Sequence, residues 1–369
     1  MRRIPTLPLV LLLLTTVLVA PARASREPKL LSDGESRYPH AIRLSDGNIV
    51  ASADHWGDGT GVADIYRSAD GGTFRKVATI TDPEADRGLC CAHLYELPRR
   101  VGKLPKGTLL WAGTTGHLRG RMTLRIWRSD NHGTTWRYLS TCATSPDGHG
   151  IWEPELSVDA DGHLVCHYAD ETSPDHSQML VRTTSPDGTT WSDRITTVAL
   201  TPRGYRPGMP HVRRLPDGTY FMTYEICGQR GQYFCEPHFR TSPNGSDWGD
   251  PTNPGTSLHS RNGRYFAHTP TIELAPGGRI VLIGQMLMTP DGKIDEGNGS
   301  TLFISDNNTQ GPWYEAPAPI SVPKARDVNC PNYHPSLVTS PDGHEVLELT
   351  SDYDSTGKCQ VRYATGPLP

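Results

Sequence analysis

The chain carries little excess charge of either sign: 36 Lys and Arg stand against 40 Asp and Glu, for a formal net charge of −4. No basic stripe gathers anywhere, which argues against a nucleic-acid partner and leaves a neutral, polar substrate as the better fit. Long apolar runs are missing after the first two dozen residues, so no later segment can cross a bilayer. A sustained helical period is missing, and so is a linker that would split the chain into two domains. The eight cysteines show no Cys-x-x-Cys spacing. In an exported chain that favours disulfides over a metal site, and nothing else in the sequence requires a metal or an organic cofactor.

Turn residues are plentiful instead, with 37 Gly and 32 Pro, and they fall in a repeating phrase. A Ser, then Asp or Asn, then Gly, then an aromatic recurs at Ser68-Ala69-Asp70-Gly71 up to Phe74, at Ser129-Asp130-Asn131 up to Trp136, at Ser185-Pro186-Asp187-Gly188 up to Trp191, and at Ser242-Pro243-Asn244-Gly245 up to Trp248. The Asp or Asn accepts bonds from the turn's own amides, Gly supplies the positive φ, and the aromatic plugs the hairpin from beneath. A looser copy runs from Ser305-Asp306-Asn307-Asn308 to Trp313. Upstream of each copy lie a leading proline, a hairpin turn and a second apolar strand. The prolines are Pro39, Pro154, Pro210, Pro270 and Pro335, with Ala92 in the corresponding place of the second unit. A period of roughly fifty to sixty residues suits a four-stranded blade. Six units predict an all-β, six-bladed β-propeller spanning residues 25–369. The sixth unit stops after its third strand, so the strand around Pro28-Lys29-Leu30-Leu31 is expected to close the last blade and protect its edge.

Residues 1–24 read as a secretion signal. Arg2-Arg3 form the basic end, Leu7 to Ala20 the apolar run, and Ala22-Arg23-Ala24 the cleavage pattern. A membrane anchor is the alternative, but Thr15-Thr16 interrupt the run and it is short for a span. The mature chain is expected to be secreted, free of the membrane and monomeric. Cys227 and Cys235 can clamp one loop, Cys330 and Cys359 can tie the last blade, and the adjacent Cys90 and Cys91 are expected to pair elsewhere. Asn244, Asn298 and Asn307 match the N-glycan acceptor pattern, relevant only in a eukaryotic source.

In a propeller the innermost strands line the channel. Strand alternation aims the residues on either side of each leading proline at it. These are Tyr38 and His40, Cys91 and His93, Glu153 and Glu155, Met209 and His211, Thr269 and Thr271, and His334 and Ser336. The second strands end at the same mouth with Asp54, Asp170-Glu171, Glu225 and Asp352. Glu153 and Glu225, from neighbouring blades, are the candidate catalytic pair. Two carboxylates across a pocket are the minimum equipment for glycoside hydrolysis, one protonating the leaving oxygen and the other attacking the anomeric carbon or activating water. The plainer reading of either is a solvated loop carboxylate or an internal hydrogen-bond anchor. Candidate substrate ligands are Tyr38, Asp54, Trp56 as a stacking platform, His93, Glu155, Asp170, His211, Tyr333 and His334. The plain alternative for the histidines is a satisfied place in the core. Glu155 lies deeper than Glu153 and is expected to orient substrate or a neighbour, Glu171 falls one step beyond its strand, and Tyr353 flanks the last mouth. The stretches from Asp82 to Cys91 and from Gly228 to Phe234 are long enough to wall the mouth into a pocket.

The Ser-Asp turns resemble the Asp boxes (BNR repeats) of the sialidase superfamily. The segments Trp152-Glu153-Pro154-Glu155-Leu156, Gly208-Met209-Pro210-His211-Val212 and Tyr224-Glu225 resemble the exo-arabinanases of glycoside hydrolase family 93. That resemblance implies a secreted, sialidase-like six-bladed propeller that releases arabinobiose from the non-reducing end of α-1,5-L-arabinan with retention. It also implies Glu153 as acid/base and Glu225 as nucleophile, or the reverse. A sialidase is the alternative; it would need three converging arginines and a nucleophilic tyrosine. Arg37 in Arg37-Tyr38-Pro39 is turned away by alternation, and Arg206 and Arg326 sit in no matching motif. A non-catalytic carbohydrate-binding propeller is the second alternative.

Overall fold

The computed structural model describes residues 27–57, 60–229, 231, 233–306, 311–326 and 329–369, and of Trp56 and Gly57 the backbone alone. The secretion signal, the Trp56 platform and the acceptor site at Asn307 lie outside what is described. Six four-stranded antiparallel sheets follow one another along the chain. Their innermost strands are Arg37–Arg43, Leu89–Glu96, Ile151–Val158, Arg206–Arg214, Thr271–Leu274 and Ser336–Thr339. In the sixth sheet the outermost strand is Lys29–Leu30, paired to Tyr363 and Arg362, so the two ends of the chain close the ring as the truncated last unit demands. In the fifth blade a short ladder, Tyr265–Ala267 against Met286–Met288, continues the pairing of Thr271–Leu274 with Ile280–Ile283 beyond the kink.

The Ser-Asp turns join third to fourth strands at the face opposite the mouth. Ser68, Ser185 and Ser242 each accept the N–H of the turn glycine at 2.8–2.9 Å, and Ser129 accepts that of Gly133 at 3.0 Å. Gly188 has φ 78°, and a Cβ there would stand 2.7 Å from Leu104 Cδ1, so only glycine fits. Apolar side chains fill the spaces between adjacent blades, as with Leu110, Leu124, Leu156, Cys166 and Val181 between the second and third.

Each innermost strand begins with a kink that alternation does not foresee. Tyr38, Cys91, Glu153, Met209, Thr269 and His334 all have φ between 51° and 66°. Five of them precede a proline, which disfavours the right-handed helical region, and bulky residues at positive φ are strained. In the first four blades the ladder skips one residue at this point. The kink is therefore a β-bulge, which re-aims side chains and frees an amide from the ladder.

Candidate active site

The freed amides point at acids. Met209 N–H faces Glu153 Oε2 at 3.4 Å, and Thr269 N–H donates to Glu225 Oε2 at 2.8 Å. The amides of Cys91 and Ala92 face Asp54, although neither Asp54 oxygen closes a hydrogen bond of normal geometry. In each case the acid comes from the blade before the bulge. Asp54 and Glu225 are equivalent positions, each paired in its ladder with the residue just ahead of a left-handed one, Arg37 and Gly208 respectively.

Glu153 and Glu225 bracket one peptide. Glu153 meets the amide of Met209, while Gly208 pairs with Glu225, and a Cβ on Gly208 would lie 3.8 Å from Glu225 Oε1. Burial, with the charge of Glu225 added, pushes the Glu153 carboxyl up to about 8. Glu225 is 8 % exposed and is further contacted by Cys227 Sγ at 3.4 Å and His268 Nδ1 at 3.6 Å. Tyr38 and Tyr333 stand beside both glutamates, and burial followed by those negative charges holds both phenols well above their usual range. Tyr38 stacks on His334 with ring centroids 4.1 Å apart and meets Tyr333 edge-on at 6.2 Å. Burial also pushes Asp54, 2 % exposed, up to about 8.

The remaining predicted ligands lie elsewhere. His93, Glu155 and His211 sit below the mouth, inside the channel. There four of the residues that follow the leading position reach across to the next blade's backbone. Ser336 Oγ accepts Ala41 N–H at 2.9 Å, His40 Nδ1 accepts Leu94 N–H at 3.2 Å, His93 Nδ1 accepts Leu156 N–H at 3.0 Å, and Glu155 Oε1 accepts Val212 N–H at 2.9 Å. Glu155 also takes His93 Nε2 and Arg213 Nη1, each at 2.9 Å. Burial alone would raise Glu155, but His93, His211 and Arg213 hold it well below the carboxylate range. His211 and His334 face each other through Nε2 atoms 3.1 Å apart, one ring donating to the other. Burial lowers His334 to about 4 and His211 well below its usual value.

Asp170 is not brought to the pair. It is matched with Ile151, one step beyond the Trp152–Ala169 pair that is equivalent to Arg37–Asp54. One step of alternation turns it to the other face of its blade, where it binds Arg194 at 2.6 Å in a groove with Cys142 and Tyr168. Ala169 fills the equivalent place.

Arg37 also departs from simple alternation. The bulge breaks the alternation, and its charge reaches both Asp54 and His117. The pairing of Cys90 and Cys91 elsewhere is corrected too. They are bonded to each other, because the other six cysteines pair as Cys142–Cys166, Cys227–Cys235 and Cys330–Cys359. Sequence reasoning missed His268, and it weighed Arg206 only as a sialidase arginine in no matching motif. Arg206 binds Glu171 and, at 2.6 Å, Gln178, and its charge bears on Glu153.

Beneath the mouth the channel narrows to a cavity of about 10 Å³ among Tyr38, Cys91, Glu153, Met209 and His334, about room for one water. A far larger cavity, about 430 Å³, opens at the opposite end beside Arg43, Tyr95 and Arg213. Size does not make it the better candidate. Its acids are committed, Glu96 to Ser45 at 2.7 Å and Glu273 to Arg213 at 3.5 Å.

No family model and no curated protein matches the chain. Solved structures do. An α-L-arabinofuranosidase of glycoside hydrolase family 93 from Fusarium graminearum, in complex with arabinobiose, superposes with a TM-score of 0.79 at 24 % identity, covering 93 % of this chain and 98 % of that one. An α-L-arabinanase from Penicillium chrysogenum, also complexed with arabinobiose, gives 0.77 at 24 % identity over 93 % and 98 %. A protein of unknown function from Dyadobacter fermentans gives 0.66 at 14 % identity over 95 % and 100 %. These likenesses establish the six-bladed propeller.

Proposed function

We propose that the chain is a glycoside hydrolase that acts on arabinan from the chain end, releasing arabinobiose with retention. The observation that carries this reading is the pairing of Glu153, held protonated near neutral pH by burial and its neighbour, with Glu225 across the Gly208–Met209 peptide. A neutral carboxylic acid beside a second carboxylate is what glycosidic cleavage needs. Glu153 gives its proton to the departing oxygen while Glu225, oriented by the Thr269 amide, attacks the anomeric carbon and forms a glycosyl ester. Glu153, now ionised, takes a proton from water, and the resulting hydroxide cleaves the ester, restoring both acids. The arabinobiose complexes of the family 93 structures support the sugar.

End-on action rests on the expected walling of the mouth by residues 82–91 and 228–234, of which 230 and 232 lie outside the described residues. The disulfides, the expected signal at residues 1–24 and the lack, among the described residues, of a helix long and apolar enough to cross a membrane fit a secreted enzyme. The sialidase reading loses ground because its arginines are engaged or turned outward: Arg37 binds Glu35 and Asn329, Arg206 is held by Glu171 and Gln178, and Arg326 is exposed. Incubation with debranched arabinan tests the proposal. Arabinobiose as the first product, with its anomeric configuration retained by NMR, is expected. Release of sialic acid from a sialoside, or binding of arabinan without cleavage, would overturn it.

A further inference from the structure

The Cys90–Cys91 disulfide joins sequence neighbours. It encloses almost no chain, so it contributes little of the loop-closure stabilisation expected of the pairs separated by 24 and 29 residues. Its place suggests another use. Cys91 is the left-handed residue of the second blade, the position that in other blades carries Tyr38, Glu153, Met209 and His334. It packs on Tyr38 and Met209, and Cys90, half-buried, adjoins the same group with Trp152 and Tyr333. Cys91 also borders the small cavity shared with Glu153. Around the paired glutamates stand the phenols of Tyr38 and Tyr333 and the imidazoles of His268 and His334, with Met209 and Trp152 as apolar neighbours of the disulfide. A disulfide is polarisable and lacks strong hydrogen-bonding atoms, so it suits the C–H face of a sugar ring rather than its hydroxyls. On its flank the Cys91 and Ala92 amides face Asp54, whose buried oxygens have no bond of normal geometry and remain able to take hydroxyls.

We propose that the Cys90–Cys91 disulfide is the apolar floor beneath the sugar ring bound at Glu153 and Glu225, and that it holds the adjoining peptide so that Asp54 meets hydroxyls of that ring. This rests on the hydrolase reading above. Three measurements test it. In the full-length Glu153→Gln protein, arabinobiose binding is first measured by calorimetry. Phosphine reduction of each disulfide is then followed by alkylation and mass spectrometry, with and without saturating arabinobiose. Access governs such exchange, so the sugar is expected to slow reduction of Cys90–Cys91 about tenfold and to leave Cys330–Cys359 unaffected. In an otherwise wild-type chain, the double variant Cys90→Ala/Cys91→Ala is expected to raise KM on the order of tenfold through lost apolar contact, with a smaller change in kcat. Binding of arabinobiose with no protection of Cys90–Cys91 overturns this inference alone, and so does an unchanged KM in the folded double variant. Failure of arabinobiose to bind overturns the hydrolase reading as well. If the double variant does not fold, the protection measurement on the intact disulfide decides.

Discussion

Glu153 and Glu155 flank a single proline, yet they occupy opposite electrostatic worlds. Glu155 is the more deeply buried, at 2 % exposure, and is held well below the carboxylate range. Glu153 is only partly covered and is pushed up to about 8. Burial opposes ionisation in both, so partners decide the outcome. Glu155 accepts bonds from His93, Arg213 and the Val212 amide. Glu153 has one long contact to an amide and a second carboxylate for company. The first residue joins blades together; the second remains available for chemistry.

The sharpest way to break this comparison is to neutralise each acid in turn. Glu153→Gln or Glu225→Gln should lower kcat/KM on debranched arabinan by about 10³-fold without lowering the thermal midpoint, and a comparable loss of stability would place them with Glu155. Glu155→Gln should do the reverse, removing about 3 kcal/mol or more of stability by leaving Arg213 under-compensated, measurable by urea unfolding.

Titration sharpens the contrast, because the two signs oppose each other. Glu153 keeps its proton in the folded state up to about 8. Its stabilising contribution is complete below the ordinary carboxyl range, 4.5 for a free side chain, and is lost as pH rises toward 8. Activity should decline over the same upper limb as the acid is lost. Glu155, depressed on folding, contributes fully above the ordinary range, and that contribution is lost as pH falls through its lower value. Unfolding midpoints measured from pH 3 to 9 should therefore show a shallower alkaline decline in Glu153→Gln, Asp54 still contributing its share, and a shallower acid-side decline in Glu155→Gln.

Smaller effects probe the flanks. Tyr38→Phe removes a hydroxyl that meets Met209 Sδ at 3.9 Å. It should leave stability nearly unchanged and weaken substrate binding by about 1 kcal/mol if the hydroxyl meets sugar. Ser336→Ala, which deletes one inter-blade bond to Ala41, should cost about 1 kcal/mol of stability and leave KM alone.

Much of this was legible. The repeated unit of leading residue, hairpin turn and apolar strand set the blade count, and the truncated sixth unit announced closure by Lys29–Leu30. Glu153 and Glu225 stood out as acids at equivalent ends of neighbouring blades. What escaped was anything that depends on a single step of register. Asp170 looked like Asp54 in the sequence but faces the other way, and Arg37 looked averted but bears on Asp54. The two errors differ in cause: the bulge on the first innermost strand leaves Arg37 paired with Asp54, whereas Asp170 lies one residue past Ala169, the true counterpart of Asp54, on a second strand of its own.

Local chemistry thus determined the turns, the repeat and the residue types delivered to the mouth, because Gly, Asp and Pro act within a few residues of themselves. The three-dimensional packing alone decided which acid keeps its proton, which histidines become struts and that Cys90 bonds Cys91, because those outcomes depend on what a distant blade brings within a few ångströms.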